Sequence, residues 1–150
     1  MKRLPLLAIG CALVAASAFA AQKIALSNLP PAVQTTIKEQ TKDATVLDIS
    51  KETEKGKTVY EVESKLNGKT RDFVVDAAGK VIEVEEETDL AAVPAAVKQA
   101  IDKASAGGTL KKVEKTTQGT TVRYEAAIVK NGKILEITVN GDGTIQKNDD

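Results

Sequence analysis

An internal repeat places the same residues 64 positions apart along the sequence, without a gap. The dipeptide Tyr60-Glu61 recurs as Tyr124-Glu125. Further matches at this offset are Asn67-Gly68-Lys69 with Asn131-Gly132-Lys133, Gly79 with Gly143, and Pro30 with Pro94. A chance origin would not keep one offset through so many positions. The chain is therefore predicted to contain two copies of one supersecondary unit.

Each copy opens with a short segment that has helical periodicity. Val33 and Ile37 lie four positions apart in the first copy, and Val97 and Ile101 do so in the second. A proline precedes each pair, where the first turn of a helix tolerates it. Helices this short do not persist alone in water. Both are therefore predicted to pack against a sheet.

Alternating polar and apolar residues follow each helix. Tyr60 and Val62 share one face of a predicted strand, and Glu61 and Glu63 point the other way. Asn67-Gly68 then favours a tight two-residue hairpin, because both turn positions require positive φ. Alternating segments of this kind recur about four times in each copy. They predict an antiparallel sheet that is apolar on one face only.

The predicted fold class is α+β, with two tandem repeats, each a short helix packed on one face of a roughly four-stranded antiparallel sheet. The predicted domains are a signal peptide at 1–20, a first repeat at 21–87 and a second repeat at 88–150. The acidic run 85–89 is typical of a polar linker between the repeats. A unit of about 60 residues is marginal alone, so packing between repeats or chains is expected to stabilise it.

The N-terminus has the pattern of a secretory signal. Lys2 and Arg3 precede an apolar run, and a small-x-small motif ends at Ala20. The run is shorter than the ~20 residues that span a bilayer. Cys11 leaves two interpretations open, since it is either an apolar residue of the signal or the lipidated cysteine of a lipoprotein. In the first case the mature chain contains no cysteine and no disulfide.

Composition excludes several classes of function. The sequence has no His and one Cys, which excludes Ser-His-Asp and Cys-His sites and zinc bound through imidazole. Lys and Arg number 21 against 21 Asp and Glu, which argues against nucleic-acid binding. The two carboxylates of a glycosidase usually lie beside aromatic residues that bind the sugar. Nothing in the sequence marks such a pair. The protein is predicted to be no enzyme and to need no cofactor.

A calcium-binding loop is one metal site that the sequence suggests. Asn140 and Asp142 would occupy positions three and five of such a loop, with Gly143 as its glycine. Position one would then fall on Thr138, where an Asp is required. A plain hairpin turn is therefore the predicted structure, and no metal site is predicted.

Charged residues on the predicted outward face are the candidate binding residues. They are Glu61, Glu63, Lys65, Asp72, Arg123, Glu125 and Glu136. Two interpretations remain, a solvated outer face and a surface that contacts a partner. Tyr60 and Tyr124 fall on the apolar face, where core packing is favoured over contact with a ligand.

The motifs resemble those of a known family. Leu-Pro-x-x-Val begins at Leu29, Tyr-Glu-Val at Tyr60, Asn-Gly-Lys at Asn67, and Val-Val-Asp-x-x-Gly-Lys-Val at Val74. This pattern resembles the PepSY-like domains of secreted bacterial proteins, and the tandem arrangement is similar to their β-lactamase-inhibitor-like group. The resemblance implies an extracytoplasmic, non-enzymatic domain that binds or inhibits proteins. This sequence departs from those inhibitors, which carry disulfides and aromatic-rich faces.

The resulting hypothesis is a periplasmic or secreted binding module without enzymatic activity. Its partner would be a protein or peptide of the cell envelope, and its finer form would inhibit a peptidase or another hydrolase. No nucleic acid and no transmembrane anchor are expected after signal cleavage. The alternative is a structural or self-associating envelope protein, which would use exposed faces or edge strands and form a homodimer.

Overall fold

A single antiparallel sheet of eight strands runs through residues 22–146, the part of the chain that the computed structural model describes. Strand order in the sheet equals strand order in the sequence. Every strand therefore pairs with its neighbours along the chain, which makes the sheet a meander. The predicted signal peptide and the alternative lipidation of Cys11 lie outside the described residues and stay predictions, as do the predicted domain bounds.

The strands differ in length, and two helices interrupt their succession. The strands are β1 (Gln22–Lys23), β2 (Thr45–Glu54), β3 (Lys57–Leu66), β4 (Lys69–Asp76), β5 (Val81–Glu87), β6 (Thr109–Gln118), β7 (Thr121–Lys130) and β8 (Lys133–Asn140). The helices are α1 (Pro31–Gln40), between β1 and β2, and α2 (Ala95–Ser105), between β5 and β6. Each helix follows a single turn of 3₁₀ helix, Leu26–Asn28 and Leu90–Ala92.

The predicted fold class, α+β with two tandem units that each have their own four-stranded sheet, is wrong, because the described residues are mostly β and form one eight-stranded sheet. β5 pairs with β4 on one side and with β6 on the other, so the sheet continues through the middle of the chain. Glu83 lies opposite Gln118, and Glu87 lies opposite Glu114. The physical reason is that an edge strand leaves a row of backbone N–H and C=O groups without partners, and a second strand satisfies them.

The predicted linker is likewise corrected. Its residues 85–87 form the end of β5, and the backbone N–H of Thr88 donates to the carbonyl oxygen of Val113 at 2.9 Å. Acidic composition is typical of a solvated connection, but backbone pairing on both sides of the strand outweighs that tendency here. The acidic residues therefore lie within the sheet and not between two sheets.

The predicted hairpins are present where Asn-Gly pairs occur. Asn67 and Gly68 have φ values of 53° and 84°, and Asn131 and Gly132 have 52° and 74°. Positive φ at both turn positions matches the twist of the flanking strands. These turns join β3 to β4 and β7 to β8 and fix their registers.

Both helices cover the same face of the sheet. Phe73 belongs to a hydrophobic cluster under α1, and its cross-strand partner Val84 packs against that cluster. Val84 lies opposite Thr117, which lies opposite Val122, and Val122 packs against a second cluster under α2. Directly opposed residues project to the same side of a sheet. The other face is covered by no helix among residues 22–146.

The helix contacts agree with the sequence periodicity. Val33 and Ile37 in α1, and Val97 and Ile101 in α2, are fully buried. Tyr60 and Tyr124 are also buried and belong to the first and second cluster, respectively. Their positions support the core interpretation of the two tyrosines. The apolar face of the sheet thus contains both clusters.

Replacing Gly143 by Ala is expected to destabilise the fold more than replacing Gly132. Both glycines have positive φ, 88° and 74°, which costs an L-residue about 1–2 kcal/mol. A Cβ on Gly143 would lie 2.7 Å from the carbonyl oxygen of Ala96, whereas one on Gly132 would meet nothing within 4 Å. Urea unfolding of the two variants measures the difference. Equal losses would contradict the close approach of this turn to α2.

Candidate binding surface

The outer face of the sheet, opposite α1 and α2, carries all seven residues predicted from the sequence to contact a partner. Glu63 lies between the fully buried Val62 and Ser64, and Glu125 lies between the buried Tyr124 and Ala126. The set comprises Glu61, Glu63 and Lys65 in β3, Asp72 in β4, Arg123 and Glu125 in β7, and Glu136 in β8. Strand alternation brings them to one face. Their role in binding stays a prediction.

Further carboxylates occupy the strands between these residues. Glu83 and Glu85 lie in β5, and Glu114 lies in β6. They are not among the candidates predicted from the sequence, and only Glu85 belongs to the acidic run that is typical of a linker. The signal that identifies the first two is the alternation of Ile82 and Val84 with them, which continues the strand pattern.

Cross-strand pairing brings the carboxylates together in the middle of the sheet. Asp72 lies opposite Glu85, and Glu85 lies opposite Thr116. Glu114 lies opposite Glu125. Adjacent strands are about 4.8 Å apart, so these side chains are near neighbours. The acidic centre is the resulting group of five residues, Asp72, Glu83, Glu85, Glu114 and Glu125.

Burial and mutual repulsion raise pKa values within the acidic centre. Burial is the largest cause that raises the pKa of Glu85 to about 8, and repulsion by the other four carboxylates adds to it. Burial also comes first among the causes that raise the pKa values of Asp72, Glu83 and Glu125. Glu85 is therefore largely protonated at pH 7. The folded state therefore disfavours the form in which all five carboxylates of the acidic centre are ionised.

The same effect extends across the outer face beyond the acidic centre. Burial, followed by repulsion from Glu52, raises the pKa of Glu61 to about 7. Burial is also the first cause that raises the pKa values of Glu63 and Glu136. The outer face thus carries partly desolvated carboxylates over most of its width.

Polar and basic groups offset part of this charge. The Nζ atom of Lys112 lies 2.6 Å from a carboxylate oxygen of Glu114. The backbone N–H of Ser64 donates to Asp72 at 2.9 Å, and this bond lowers the pKa of Asp72 against the larger effect of burial. Gln118 donates to Glu83 at 3.0 Å. These contacts hold the carboxylates in place without neutralising the group as a whole.

A metal centre is not formed by the residues that the structure describes. No group of three or more His, Cys, Asp or Glu side chains within 22–146 has an arrangement that could hold a metal ion. In the turn that invited a calcium interpretation, Asp142 accepts hydrogen bonds from the backbone N–H and the hydroxyl of Thr144, at 2.9 and 2.7 Å. These bonds lower the pKa of Asp142 and use its oxygen within the turn.

Neither helix in the described range 22–146 is long and apolar enough to cross a membrane.

Comparison with protein families matches the first part of the chain. Residues 20–85 match the PepSY model, described as the peptidase propeptide and YPEB domain. No curated protein has a significantly similar sequence.

Solved structures show the same fold at low sequence identity. A protein described as periplasmic, from Bacteroides eggerthii, is 18% identical with a TM-score of 0.64, covering 79% of this chain and 86% of that one. A DUF2874 family protein from Bacteroides ovatus is 16% identical with a TM-score of 0.62, covering 80% and 86%. A BLIP-like protein from Bacteroides fragilis is 17% identical with a TM-score of 0.58, covering 79% and 84%. At these identities, the likeness concerns the fold.

Proposed function

We propose that the protein is a periplasmic or secreted, non-enzymatic module that binds another protein through its outer face, in keeping with the match of residues 20–85 to the PepSY model. The supporting observation is the outer face itself, which no helix covers among the described residues and which carries the charged side chains of β3 to β8. The predicted contacts are Glu61, Glu63, Lys65, Asp72, Arg123, Glu125 and Glu136. Charges in such a surface determine specificity and association rate more than affinity.

The raised pKa values of carboxylates on the outer face support a role in binding. A solvated charged face would leave its carboxylates hydrated and their pKa values ordinary. Here burial raises the pKa of Glu61 to about 7 and that of Glu85 to about 8. Groups whose charged form is disfavoured in the folded state concentrate at functional sites. A partner with cationic side chains would stabilise the ionised form of these carboxylates.

The finer proposal is that the partner is a peptidase or another hydrolase, which the module inhibits. The family description includes peptidase propeptides, and one structural neighbour is named BLIP-like. An inhibitor would place its charged outer face against the enzyme and exclude substrate. Any enzyme captured on this face is therefore to be assayed with and without the module.

Reversal of outer-face charges is expected to abolish capture of a partner from the native periplasm. The bait variant carries Glu61→Lys and Glu125→Lys, one change in each half of the sheet. The matched control carries Glu39→Lys and Asp102→Lys, the same charge change on exposed positions of α1 and α2. Affinity capture followed by mass spectrometry should give one specific partner with wild type and with the control, but not with the outer-face variant.

Edge-strand self-association is the second candidate function. Val46 and Leu47 in β2, and Ile134 and Leu135 in β8, are exposed apolar residues near the two edges of the sheet. Edge strands that present apolar side chains favour pairing with another chain. If the wild-type bait returns only copies of itself, and sedimentation shows a dimer, this candidate replaces the first.

A further inference from the structure

We propose that the acidic centre binds a cationic segment, an extended stretch of a partner protein with Lys or Arg at alternate positions. This inference rests on the proposed function, because it specifies the chemistry of the partner that the outer face accepts. Two independent observations support it, the excess of carboxylates in the middle of the sheet and a buried hydroxyl without a partner beside them.

The charge and spacing of the acidic centre match such a segment. Its five carboxylates are accompanied by two neighbouring cations. Lys112 pairs with Glu114 at 2.6 Å, and the charge of Arg123 lowers the pKa values of Glu83 and Glu125 against the larger effect of burial. Along β5, the side chains of Glu83, Glu85 and Glu87 follow at every second residue. Alternate residues of a strand are about 6.7 Å apart, and those of an extended peptide have the same spacing.

Thr116 supplies the second observation. Its side chain lies on the outer face, where its cross-strand neighbours are Glu85 and Arg123. The residue is 8% exposed, and its Oγ1 atom is shielded from solvent and has no hydrogen-bond partner in the described structure. A buried hydroxyl without a partner destabilises a fold. The position of Thr116 between Glu85 and Arg123 places the hydroxyl within the surface that a partner would cover.

A cationic side chain meets both requirements at once. A Lys ammonium offers three donors, and an Arg guanidinium offers five. Either group can therefore contact carboxylates of the acidic centre and also donate to the hydroxyl of Thr116. An anionic partner would be repelled by the carboxylates, and an apolar partner would leave the hydroxyl without a partner and increase the desolvation of the carboxylates.

Binding of a cation should also depend on pH. The charged groups that act on Glu85 are Asp72 in β4, Glu83 in β5, Glu114 in β6 and Glu125 in β7. Glu87, Lys112 and Arg123 lie on the same face of the sheet. A bound cation favours the ionised carboxylates, so binding releases protons. Affinity is therefore expected to increase as pH rises from 5 to 8.

The test measures fluorescence anisotropy of a labelled peptide, Lys-Thr-Lys-Thr-Lys-Thr-Lys, with the full-length mature chain at pH 8 and low salt. Saturable binding is expected, and the double variant Glu85→Gln with Glu125→Gln should weaken it about tenfold, through loss of attraction between unlike charges. The control, Glu39→Gln with Asp102→Asn, removes the same charge from the helices and should bind like wild type. Thr116→Val, which replaces the hydroxyl with a methyl group of similar size, should also weaken binding.

Several outcomes would overturn the inference. They are equal affinity of wild type and the Gln variant, equal binding of the acidic control peptide Glu-Thr-Glu-Thr-Glu-Thr-Glu, and saturable binding of Ca²⁺ in place of the peptide. Capture of a partner that charge reversal abolishes, without binding of the Lys peptide, would leave the proposed function standing and reject the cationic segment. Circular dichroism of each variant confirms that the fold is retained.

Discussion

Replacing Glu85 by Gln is expected to raise the free energy of unfolding at pH 8 by about 1–2 kcal/mol and to leave it nearly unchanged near pH 4.5. The rise of its pKa from 4.5 to about 8 would correspond to a larger value, which is reduced because the side chain is only partly buried and solvent screens its charge. The amide keeps the shape of the carboxyl group and removes the charge that burial disfavours.

The sign of the effect follows from proton linkage. The folded state binds the proton of Glu85 more tightly than the unfolded state does, because the pKa is raised on folding. The stabilisation by that proton is fully present below the unfolded pKa of 4.5 and is lost as pH rises through about 8. Wild type should therefore lose stability between these limits, and Glu85→Gln should lose less.

Urea unfolding at pH 4.5, 6 and 8 measures this dependence. Glu39→Gln, on the exposed side of α1, is the control and should follow wild type at each pH. The remaining carboxylates with raised pKa values should keep part of the slope, so the variant reduces the pH dependence without removing it. Identical pH profiles for wild type and Glu85→Gln would show that the acidic centre is not desolvated in solution.

Local features of the fold follow from local sequence. Val33 and Ile37 are four residues apart and become the buried face of α1. Asn67 and Gly68 form the hairpin turn, whose geometry requires the positive φ values that both residues adopt. Alternation assigns Glu61 and Glu63 to the outer face. In each of these cases the deciding interactions lie within a few residues, so periodicity and turn chemistry contain the necessary information.

The single sheet did not follow from the sequence, for a physical reason. Which strand pairs with the edge of β5 is decided by tertiary packing, and strand propensity does not encode it. The pairing of Glu85 with Thr116 joins residues on either side of α2, and a shift of one residue would place all of β6 on the opposite face. The acidic centre depends on that register. Its individual carboxylates are visible in the sequence, but their proximity is not.

Replacing Phe73 by Ala is expected to lower the free energy of unfolding by about 3–5 kcal/mol, the usual loss for a fully buried phenylalanine. Phe73 is 1% exposed and lies in the cluster under α1. Its strand β4 pairs with β5, and β5 pairs with β6, which contributes Val113 to the cluster under α2. The single sheet therefore predicts that the loss reaches both halves of the chain.

A tyrosine reporter tests whether the halves unfold together. The sequence has two tyrosines and no tryptophan, so a Tyr60→Phe background leaves Tyr124, in the second cluster, as the reporter. Phe73→Ala should shift the urea midpoint of Tyr124 fluorescence and that of circular dichroism equally, since coincident transitions indicate one cooperative unit. If the Tyr124 midpoint stays at its original value while circular dichroism divides into two transitions, the pairing of β5 with β6 is too weak to couple the halves. The acidic centre, which depends on that pairing, would then be disrupted when only the first half unfolds.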